Sequence, residues 1–288
     1  MSLPNQAERT DSLFESLGTN VVKIRELDTS LDLQAPLGPL CPLYHLPMRQ
    51  HLPNILTISN LFCGVLGLML VLQGALWGTV IMVGTSLLMD FLDGFVARRL
   101  GVSSPIGKEL DSLADMVSFG VLPGLVLLRM SGGLTAGVGW LDGGAFPGWP
   151  LLLISLAALQ VPLFSAVRLA KFNVDTRQED QFIGVPTPAN TLLVVSLWMI
   201  AELHPQSWAG QWLHLPWLIA GLSLLLSYLL VAPLPLLALK FKDFSWRQNR
   251  SRYVLLAGSA LLIALFQYLA LPAVFLLYLG LSLFALRK

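Results

Sequence analysis

The chain is dominated by about eight apolar stretches, most of them long enough to cross a lipid bilayer. A transmembrane helix needs about 20 consecutive apolar residues to cross a hydrocarbon core of about 30 Å. Within that core every backbone N–H and C=O must be paired inside the segment, so these stretches should be helical. The sequence therefore predicts an all-α, polytopic membrane helical bundle with about eight transmembrane helices. The stretches run approximately over residues 54–73, 75–97, 107–130, 149–170, 188–203, 216–240, 252–267 and 269–286.

Basic residues are unevenly distributed between the two ends of these stretches. If the number of spans is even, one side receives both termini and the loops near 98–107, 171–187 and 241–251. These loops and the adjoining span ends carry nearly all of the Lys and Arg residues outside the N-terminal tail, whereas Arg129 lies alone on the opposite side. Cytoplasmic loops are enriched in Lys and Arg. The sequence therefore predicts a multi-pass membrane protein with both termini and the basic loops in the cytoplasm.

Composition divides the chain into three regions. Residues 1–47 are polar to mixed, have no sustained helical period and become proline-rich near their end, which predicts a disordered or weakly structured N-terminal tail. Met48 would itself make a natural start, so an over-extended start is the alternative to a real tail. Residues 48–240 form the predicted membrane domain, and residues 241–288 form a C-terminal helical hairpin of two spans.

Four aspartates occur at helical intervals within DFLDGFVARRLGVSSPIGKELDSLAD, residues 90–115. At about 100° per residue, Asp90 and Asp93 share one face at the end of the second span. Asp111 and Asp115 share one face near the start of the third span, and the break at 103–105 joins the two spans. The four carboxylates should therefore converge just inside the membrane on the cytoplasmic side. The same two faces also carry Gly94, Ala97, Arg98 and Gly107.

A group of buried carboxylates is stabilised by a bound cation. Ionised carboxylates repel one another, and burying them is costly. Only 12% of the residues in this chain are charged, so four carboxylates at one place are unusual. Converging carboxylate oxygens suit a hard divalent ion such as Mg²⁺ or Mn²⁺, and such ions bind phosphates. Gly94 and Gly107 leave the wall of this site free of side chains, and Arg98 offers a fork of donors for a phosphate. The alternatives are interfacial charges paired with Arg99 and Lys108, or the carboxylate site of a cation transporter.

The spacing of these residues also carries a family resemblance. The pattern D-x₂-D-G-x₂-A-R-x₈-G-x₃-D-x₃-D over residues 90–115 resembles the signature of the CDP-alcohol phosphotransferases. The resemblance implies a membrane enzyme that moves a phosphate-containing group from a CDP-linked donor to an alcohol and releases CMP. It implies that Asp90, Asp93 and Asp111 bind two divalent ions, and that Asp115 is the general base. Asp115 is counted as a fourth candidate metal ligand as well.

Flanking segments resemble the branch of this family that uses CDP-diacylglycerol as donor and L-serine as acceptor. The resemblance covers residues 50–240 approximately, and Lys171 is a mild departure because the branch more often has arginine there. It implies that phosphatidylserine is the product and that substrates and membrane lipids are the partners, with no nucleic acid and with a homodimer as one option. The matching segments are PNILTISNLFCG (53–64), SPIGKELDSLADMVSFGVLP (104–123), RLAKFN (168–173) and FIGVPTP (182–188).

Substrate-binding candidates follow from these segments. Asn54 and Thr57 open the first span, where an amide and a hydroxyl could bond phosphate or nucleotide; helix capping is the alternative. Ser118 should lie on the aspartate face and bond the acceptor or a carboxylate, or else its own helix carbonyl. Arg168 and Lys171 could hold a serine carboxylate or lipid phosphate, or serve only as positive-inside anchors. By resemblance, the residues that contact the cytidine nucleotide are Gly94, Ala97, Arg98 and Gly107.

Two alternative functions stay open at this point. A sister enzyme would use glycerol 3-phosphate or an inositol phosphate, whose extra charge should require more cations than Arg168 and Lys171 supply. A cation transporter would need polar residues that continue through the spans. Beyond Asp115 the third span reads MVSFGVLPGLVLLRM, which offers no continuous acidic path.

Overall fold

The computed structural model describes residues 51–102, 104–134, 148–174, 182–236 and 246–285. These residues are almost entirely helical, with one antiparallel pairing of two-residue strands. The predicted tail, residues 1–47, lies outside the described residues. In chain order the elements are α1 (His51–Gln73), α2 (Leu76–Leu100), α3 (Pro105–Asp115), a π-helical segment (Met116–Val121), α4 (Leu122–Met130), α5 (Trp149–Ala158), α6 (Gln160–Val174), β1 (Phe182–Ile183), α7 (Thr187–Leu203), α8 (Trp208–Leu213), α9 (Pro216–Val231), β2 (Pro235–Leu236), α10 (Trp246–Phe266), a 3₁₀ turn (Gln267–Leu269) and α11 (Ala270–Ala285).

The polytopic helical bundle predicted from the sequence is confirmed, and each of the eight apolar stretches contains a helix. Within the described residues, five segments are long and apolar enough to cross a membrane. The helices α7 and α9 are apolar but have only 17 and 16 residues. The last two predicted spans belong to one apolar segment, interrupted by the 3₁₀ turn. The five segments are His51–Gln73, Leu76–Leu100, Pro105–Met130, Trp149–Val174 and Asn249–Leu283.

The predicted span over residues 216–240 is too long. Helix α9 ends at Val231, and the next residue, Ala232, has extended backbone angles (φ −58°, ψ 140°). A residue that precedes proline is disfavoured in the helical region, and Pro233 follows Ala232 directly. Beyond this point Pro235 and Leu236 pair with Ile183 and Phe182, so the chain turns from helix to a short strand.

The connection between α2 and α3 determines where the aspartates lie. Helix α2 ends at Leu100 and is capped by Gly101, which adopts a left-handed conformation (φ +63°) that only glycine adopts at little cost. Helix α3 begins at Pro105, and the hydroxyl of its capping residue, Ser104, accepts a hydrogen bond from Gly107 N at 2.9 Å. The predicted helix break between the second and third spans is therefore present, and the two faces that carry the aspartates belong to helices that follow each other directly along the chain.

A π-helical segment interrupts the third span directly after Asp115. It places Ser118 and Phe119 in the interior of the bundle, where both are buried. The neighbouring helices fit closely against this segment, since a Cβ at Gly64 of α1 would collide with the Ser118 side chain. Thr191 of α7 donates a hydrogen bond to the carbonyl of Phe119 at 3.1 Å. The π-helical segment therefore lies at the centre of the packing around the aspartate cluster.

The apolar core is built largely from α4, α7 and α9. It includes Trp198, whose ring nitrogen donates to Glu202 at 3.1 Å, together with Leu122, Leu127 and Ile219. Many large apolar side chains are instead exposed on the outer faces of the helices, as expected where lipid is the solvent. The helices thus form a bundle whose exterior suits a membrane.

Candidate active site

Three carboxylates form a compact set between α2 and α3. One oxygen atom each of Asp90, Asp93 and Asp111 lies within 4.8 Å of the others. Asp93 is the most enclosed of the three, with 5% of its surface exposed. The convergence follows directly from the sequence, because Asp90 and Asp93 are three residues apart on α2 and α3 returns immediately after the Gly101 turn.

The donor set suits a divalent metal ion. All of the converging atoms are carboxylate oxygens, which Mg²⁺ and Mn²⁺ prefer as ligands. In addition, Oδ1 of Asp111 is buried and has no hydrogen-bond partner among the described residues. A buried carboxylate oxygen without a partner is costly, and a cation would remove that cost. Asp90, Asp93 and Asp111 therefore fit the metal-binding group that the sequence predicts.

Asp115 lies one helical turn beyond Asp111 and belongs to the same electrostatic cluster. Its carboxylate interacts with those of Asp90 and Asp111. Its Oδ1 atom accepts a hydrogen bond from Nδ2 of Asn60 at 3.3 Å. Asp115 is not one of the three residues with mutually close oxygens, so the structure places it beside that set.

Helix α1 supplies hydrogen-bond donors to the carboxylates. The hydroxyl of Thr57 lies 2.6 Å from Oδ2 of Asp93 and 3.1 Å from the carbonyl oxygen of Pro53. Of these contacts, the shorter one to a carboxylate is the stronger. Only 3% of Thr57 is exposed. Thr57 was predicted to contact the substrate. In the structure its hydroxyl bonds Asp93, a candidate metal ligand.

Sequence reasoning missed Asn60, which is completely buried one turn beyond Thr57 on the same face of α1. Its side chain reaches Asp115 on one side and Ser86 of α2 on the other. The available signal was an asparagine inside an apolar span at i+3 from Thr57, since polar residues within membrane spans mark functional positions.

A cavity of about 400 Å³ opens beside the carboxylates. Its volume is in the range of small-molecule sites. Five of the predicted substrate-binding residues and two of the predicted metal ligands line it. The lining residues are Pro53, Asn54, Thr57, Asp93, Gly94, Ala97, Gly101, Val102, Ser104, Gly107, Lys108 and Asp111.

Gly107 lines this cavity, and Arg98 lies beside another lining residue, Gly94. A Cβ at Gly107 would come within 3.0 Å of Oδ1 of Asn54, so glycine permits α3 to approach α1. Arg98 is exposed. A Cβ added at Gly94 would lie 3.4 Å from its guanidinium, so the guanidinium lies beside Gly94. Arg98 also interacts electrostatically with Asp93. These positions agree with a polar ligand bound between α1, α2 and α3.

The remaining predicted substrate residues are outside the residues that line the cavity. The hydroxyl of Ser118 donates to the backbone carbonyl of Asn60 at 3.2 Å, which is neither a carboxylate nor the carbonyl of its own helix. Lys171 is exposed near the end of α6. Lys108, considered as a partner for the aspartates, donates instead to the carbonyl of Asn173 at 2.9 Å and ties α3 to the end of α6.

Arg168 of α6 is a buried cation whose charge interacts with that of Asp115. Only 8% of its surface is exposed, and its Nε has no hydrogen-bond partner within the described part of the chain. It interacts electrostatically with Asp115 and with Tyr278 of α11. Tyr278 was also missed by sequence reasoning, because it lies in the C-terminal hairpin, far along the chain from the signature. Arg168 thus supplies a positive charge next to the proposed base.

Comparison with known proteins identifies one family. Residues 50–232 match the model of a family described as CDP-alcohol phosphatidyltransferase. This region contains the aspartate cluster, the cavity and Arg168 but ends before α10 and α11.

Several relatives carry the same name, CDP-diacylglycerol–serine O-phosphatidyltransferase. The protein from Bacillus subtilis is 33% identical over 147 residues, which cover 51% of this chain and 75% of the relative. The protein from Helicobacter pylori strain J99 is 36% identical over 159 residues, covering 54% and 58%. The protein from Mycobacterium leprae is 31% identical over 185 residues, covering 62% and 56%. The matched region thus spans little more than half the length of the latter two relatives.

Proposed function

Because the chain belongs to the CDP-alcohol phosphatidyltransferase family, we propose that it transfers the phosphatidyl group of CDP-diacylglycerol to L-serine. The products are phosphatidylserine and CMP. The observation that carries this proposal is the set of Asp90, Asp93 and Asp111 beside a cavity of about 400 Å³. The names of the relatives support serine as the acceptor.

The donor's head group is proposed to lie in the cavity. Asn54, Gly94, Ala97 and Gly107, which line the cavity, would contact the cytidine diphosphate portion. Arg98, whose guanidinium lies beside Gly94, would bind a phosphate oxygen. Asp90, Asp93 and Asp111 would hold Mg²⁺ or Mn²⁺, which when bound neutralises the charge of a diphosphate. Thr57 would keep the carboxylate of Asp93 oriented through its hydrogen bond.

The acceptor is proposed to bind between Asp115 and Arg168. The hydroxyl oxygen of L-serine attacks the phosphorus of the phosphatidyl group, and its proton passes to the carboxylate of Asp115. The bond between that phosphorus and the oxygen of CMP breaks, and CMP leaves with the electron pair. The buried guanidinium of Arg168 is suited to the carboxylate of serine, since its Nε has no partner among the residues described. Lys171, which is exposed near the end of α6, stays a candidate for the lipid phosphate.

The sidedness of the site is part of the proposal. Exposed Arg98 and Arg99 lie at the end of α2, and exposed Lys108 lies near the start of α3 and lines the cavity. Basic residues at one membrane surface favour the cytoplasm. We therefore place the active site and both termini on the cytoplasmic side, where a water-soluble acceptor can reach a donor whose acyl chains stay in the lipid. A homodimer stays a prediction from the family resemblance.

An acceptor panel tests the proposed reaction. Purified protein in detergent would receive CDP-diacylglycerol and Mg²⁺ or Mn²⁺, and then L-serine, glycerol 3-phosphate, inositol or inositol 1-phosphate in separate reactions. Of the four acceptors, we expect only L-serine to cause release of CMP. The single buried guanidinium of Arg168 beside Asp115 suits one carboxylate better than a dianionic phosphate.

Other results of the panel would change the proposal in defined ways. Turnover with a phosphorylated acceptor would keep the aspartates in their roles but exclude a serine pocket at Arg168. The absence of CMP with every acceptor, in protein shown to be folded, would favour the cation transporter instead.

A further inference from the structure

We propose that Asn60 is a positioning residue for Asp115, and that Ser86 fixes the orientation of the Asn60 amide. The inference rests on the proposed function, since it gives Asp115 the role of general base. It adds two residues from α1 and α2 that lie outside the aspartate signature.

The first step is the contact between Asn60 and Asp115. Nδ2 of Asn60 lies 3.3 Å from Oδ1 of Asp115, and Asn60 is completely buried. A hydrogen bond to a carboxylate is stronger than one between neutral groups. It restricts rotation of the carboxylate, so the oxygen atoms of Asp115 are held in one orientation relative to the acceptor. Catalytic hydrogen bonds are often long without substrate, and a separation of 3.3 Å is compatible with one that shortens on binding.

The second step is the orientation of the amide itself. The hydroxyl of Ser86 makes a short hydrogen bond to Oδ1 of Asn60 and lies 3.4 Å from the Asn60 backbone carbonyl. Because an ionised carboxylate only accepts hydrogen bonds, the side of the amide that faces Asp115 must be its donor, and the amide oxygen then accepts from the Ser86 hydroxyl on the other side. The NH₂ group is then the part of the amide that faces Asp115. Ser86 is also buried, so water does not compete for this bond.

The third step concerns the backbone around Asn60. The carbonyl of Asn60 accepts a hydrogen bond at 3.2 Å from the hydroxyl of Ser118, which lies three residues after Asp115 in the π-helical segment. Asn60 thus connects α1 to α2 through Ser86 and to the third span through both Asp115 and Ser118. A residue anchored in this way has little freedom, which is what positioning a base requires.

A purely structural asparagine would fill the same space, so the test separates orientation from folding. The variants are Asn60→Ala, which removes the donor to Asp115, and Ser86→Ala, which keeps the donor but frees the amide to turn. Ser59→Ala is the matched control, since Ser59 neighbours Asn60 on α1 and its hydroxyl bonds the carbonyl of Ile55 in its own helix at 2.8 Å. Each protein is checked for folding by gel filtration and thermal melting in detergent, and kcat and KM are measured for both substrates.

We expect Asn60→Ala to lower kcat about 10- to 100-fold, the range found when a residue that orients a catalytic group is removed. KM for CDP-diacylglycerol should stay within about threefold of the wild type, because the cavity residues are unchanged. Ser86→Ala should lower kcat by roughly 3- to 10-fold, as the amide remains but is less well oriented. Ser59→Ala should behave like the wild type.

The inference is wrong if folded Asn60→Ala keeps kcat within about twofold of the wild type, or if kcat falls only in proportion to the folded fraction. If Asn60→Ala does not fold, Ser86→Ala decides, and an unchanged kcat there contradicts the proposed orientation. A wild-type protein that releases no CMP with L-serine would overturn the proposed function and this inference with it. A wild-type protein that turns over L-serine, next to an equally active Asn60→Ala, would overturn the inference alone.

Discussion

We expect the Asp115→Asn variant to lose about 10³-fold in turnover while its affinity for the donor is largely retained, because general base catalysis contributes about 10²- to 10⁴-fold. The amide has nearly the shape of the carboxylate, so the packing around Asn60 and α3 should survive. The amide, unlike the carboxylate, cannot accept the proton of the attacking hydroxyl. The measurement is kcat with saturating L-serine, together with equilibrium binding of CDP-diacylglycerol or CMP.

Glu109→Gln is the control for this substitution. Glu109 also lies on α3 but is exposed, so the same chemical change there should leave turnover and binding as in the wild type. An equal loss of turnover and donor binding in Asp115→Asn would contradict the role of base and indicate that Asp115 is mainly a metal ligand. That outcome would also remove the basis for Asn60 as a positioning residue.

The second large effect is expected at the metal-binding carboxylates. Asp90→Asn and Asp111→Asn should each be inactive, with turnover at least about 10³-fold below the wild type, and excess Mg²⁺ should not restore it. Three oxygens that lie within 4.8 Å of one another act as one set, so the loss of any one charge weakens the whole site. Asp111 is the sharper test because its Oδ1 has no partner within the described ranges.

Binding of Mn²⁺, followed by electron paramagnetic resonance, should report the same defect directly. The wild type and Glu109→Gln should bind Mn²⁺, whereas Asp90→Asn and Asp111→Asn should bind it much more weakly. Near-normal activity in either aspartate variant would contradict the metal assignment, whatever the binding measurement showed.

Much of the site follows from helical spacing and one helix break. Asp90 and Asp93 had to share a face, and the break before Pro105 returns the chain so that Asp111 joins them. Hydropathy similarly located every apolar helix. These features depend on local sequence, and the structure places the three carboxylates together as the spacing predicted.

Features that depend on contacts between helices were not predictable in this way. The bond from Asn60 to Asp115 joins residues on α1 and α3, and nothing in the α1 sequence alone selects Asp115 as the partner. The π-helical segment changes the helical register after Asp115, so an extrapolation at 100° per residue could not place the Ser118 hydroxyl. Tyr278 approaches Arg168 only through the packing of the C-terminal hairpin.

The end of α9 is a different case, because the signal was present in the sequence. Pro233 and Pro235 interrupt an apolar run, and hydropathy alone does not register them. Backbone restrictions decided the outcome, and the helix ended at Val231.

The central claim is that one carboxylate site, loaded with a divalent ion, transfers a phosphatidyl group to L-serine. The most direct measurement is the amount of CMP and of phosphatidylserine formed by the purified protein, with and without L-serine, before and after treatment with EDTA. We predict equal amounts of the two products, none without L-serine, none after chelation, and recovery when Mg²⁺ or Mn²⁺ is restored. CMP release without a matching amount of phosphatidylserine, or turnover that is unchanged by EDTA, would contradict this account.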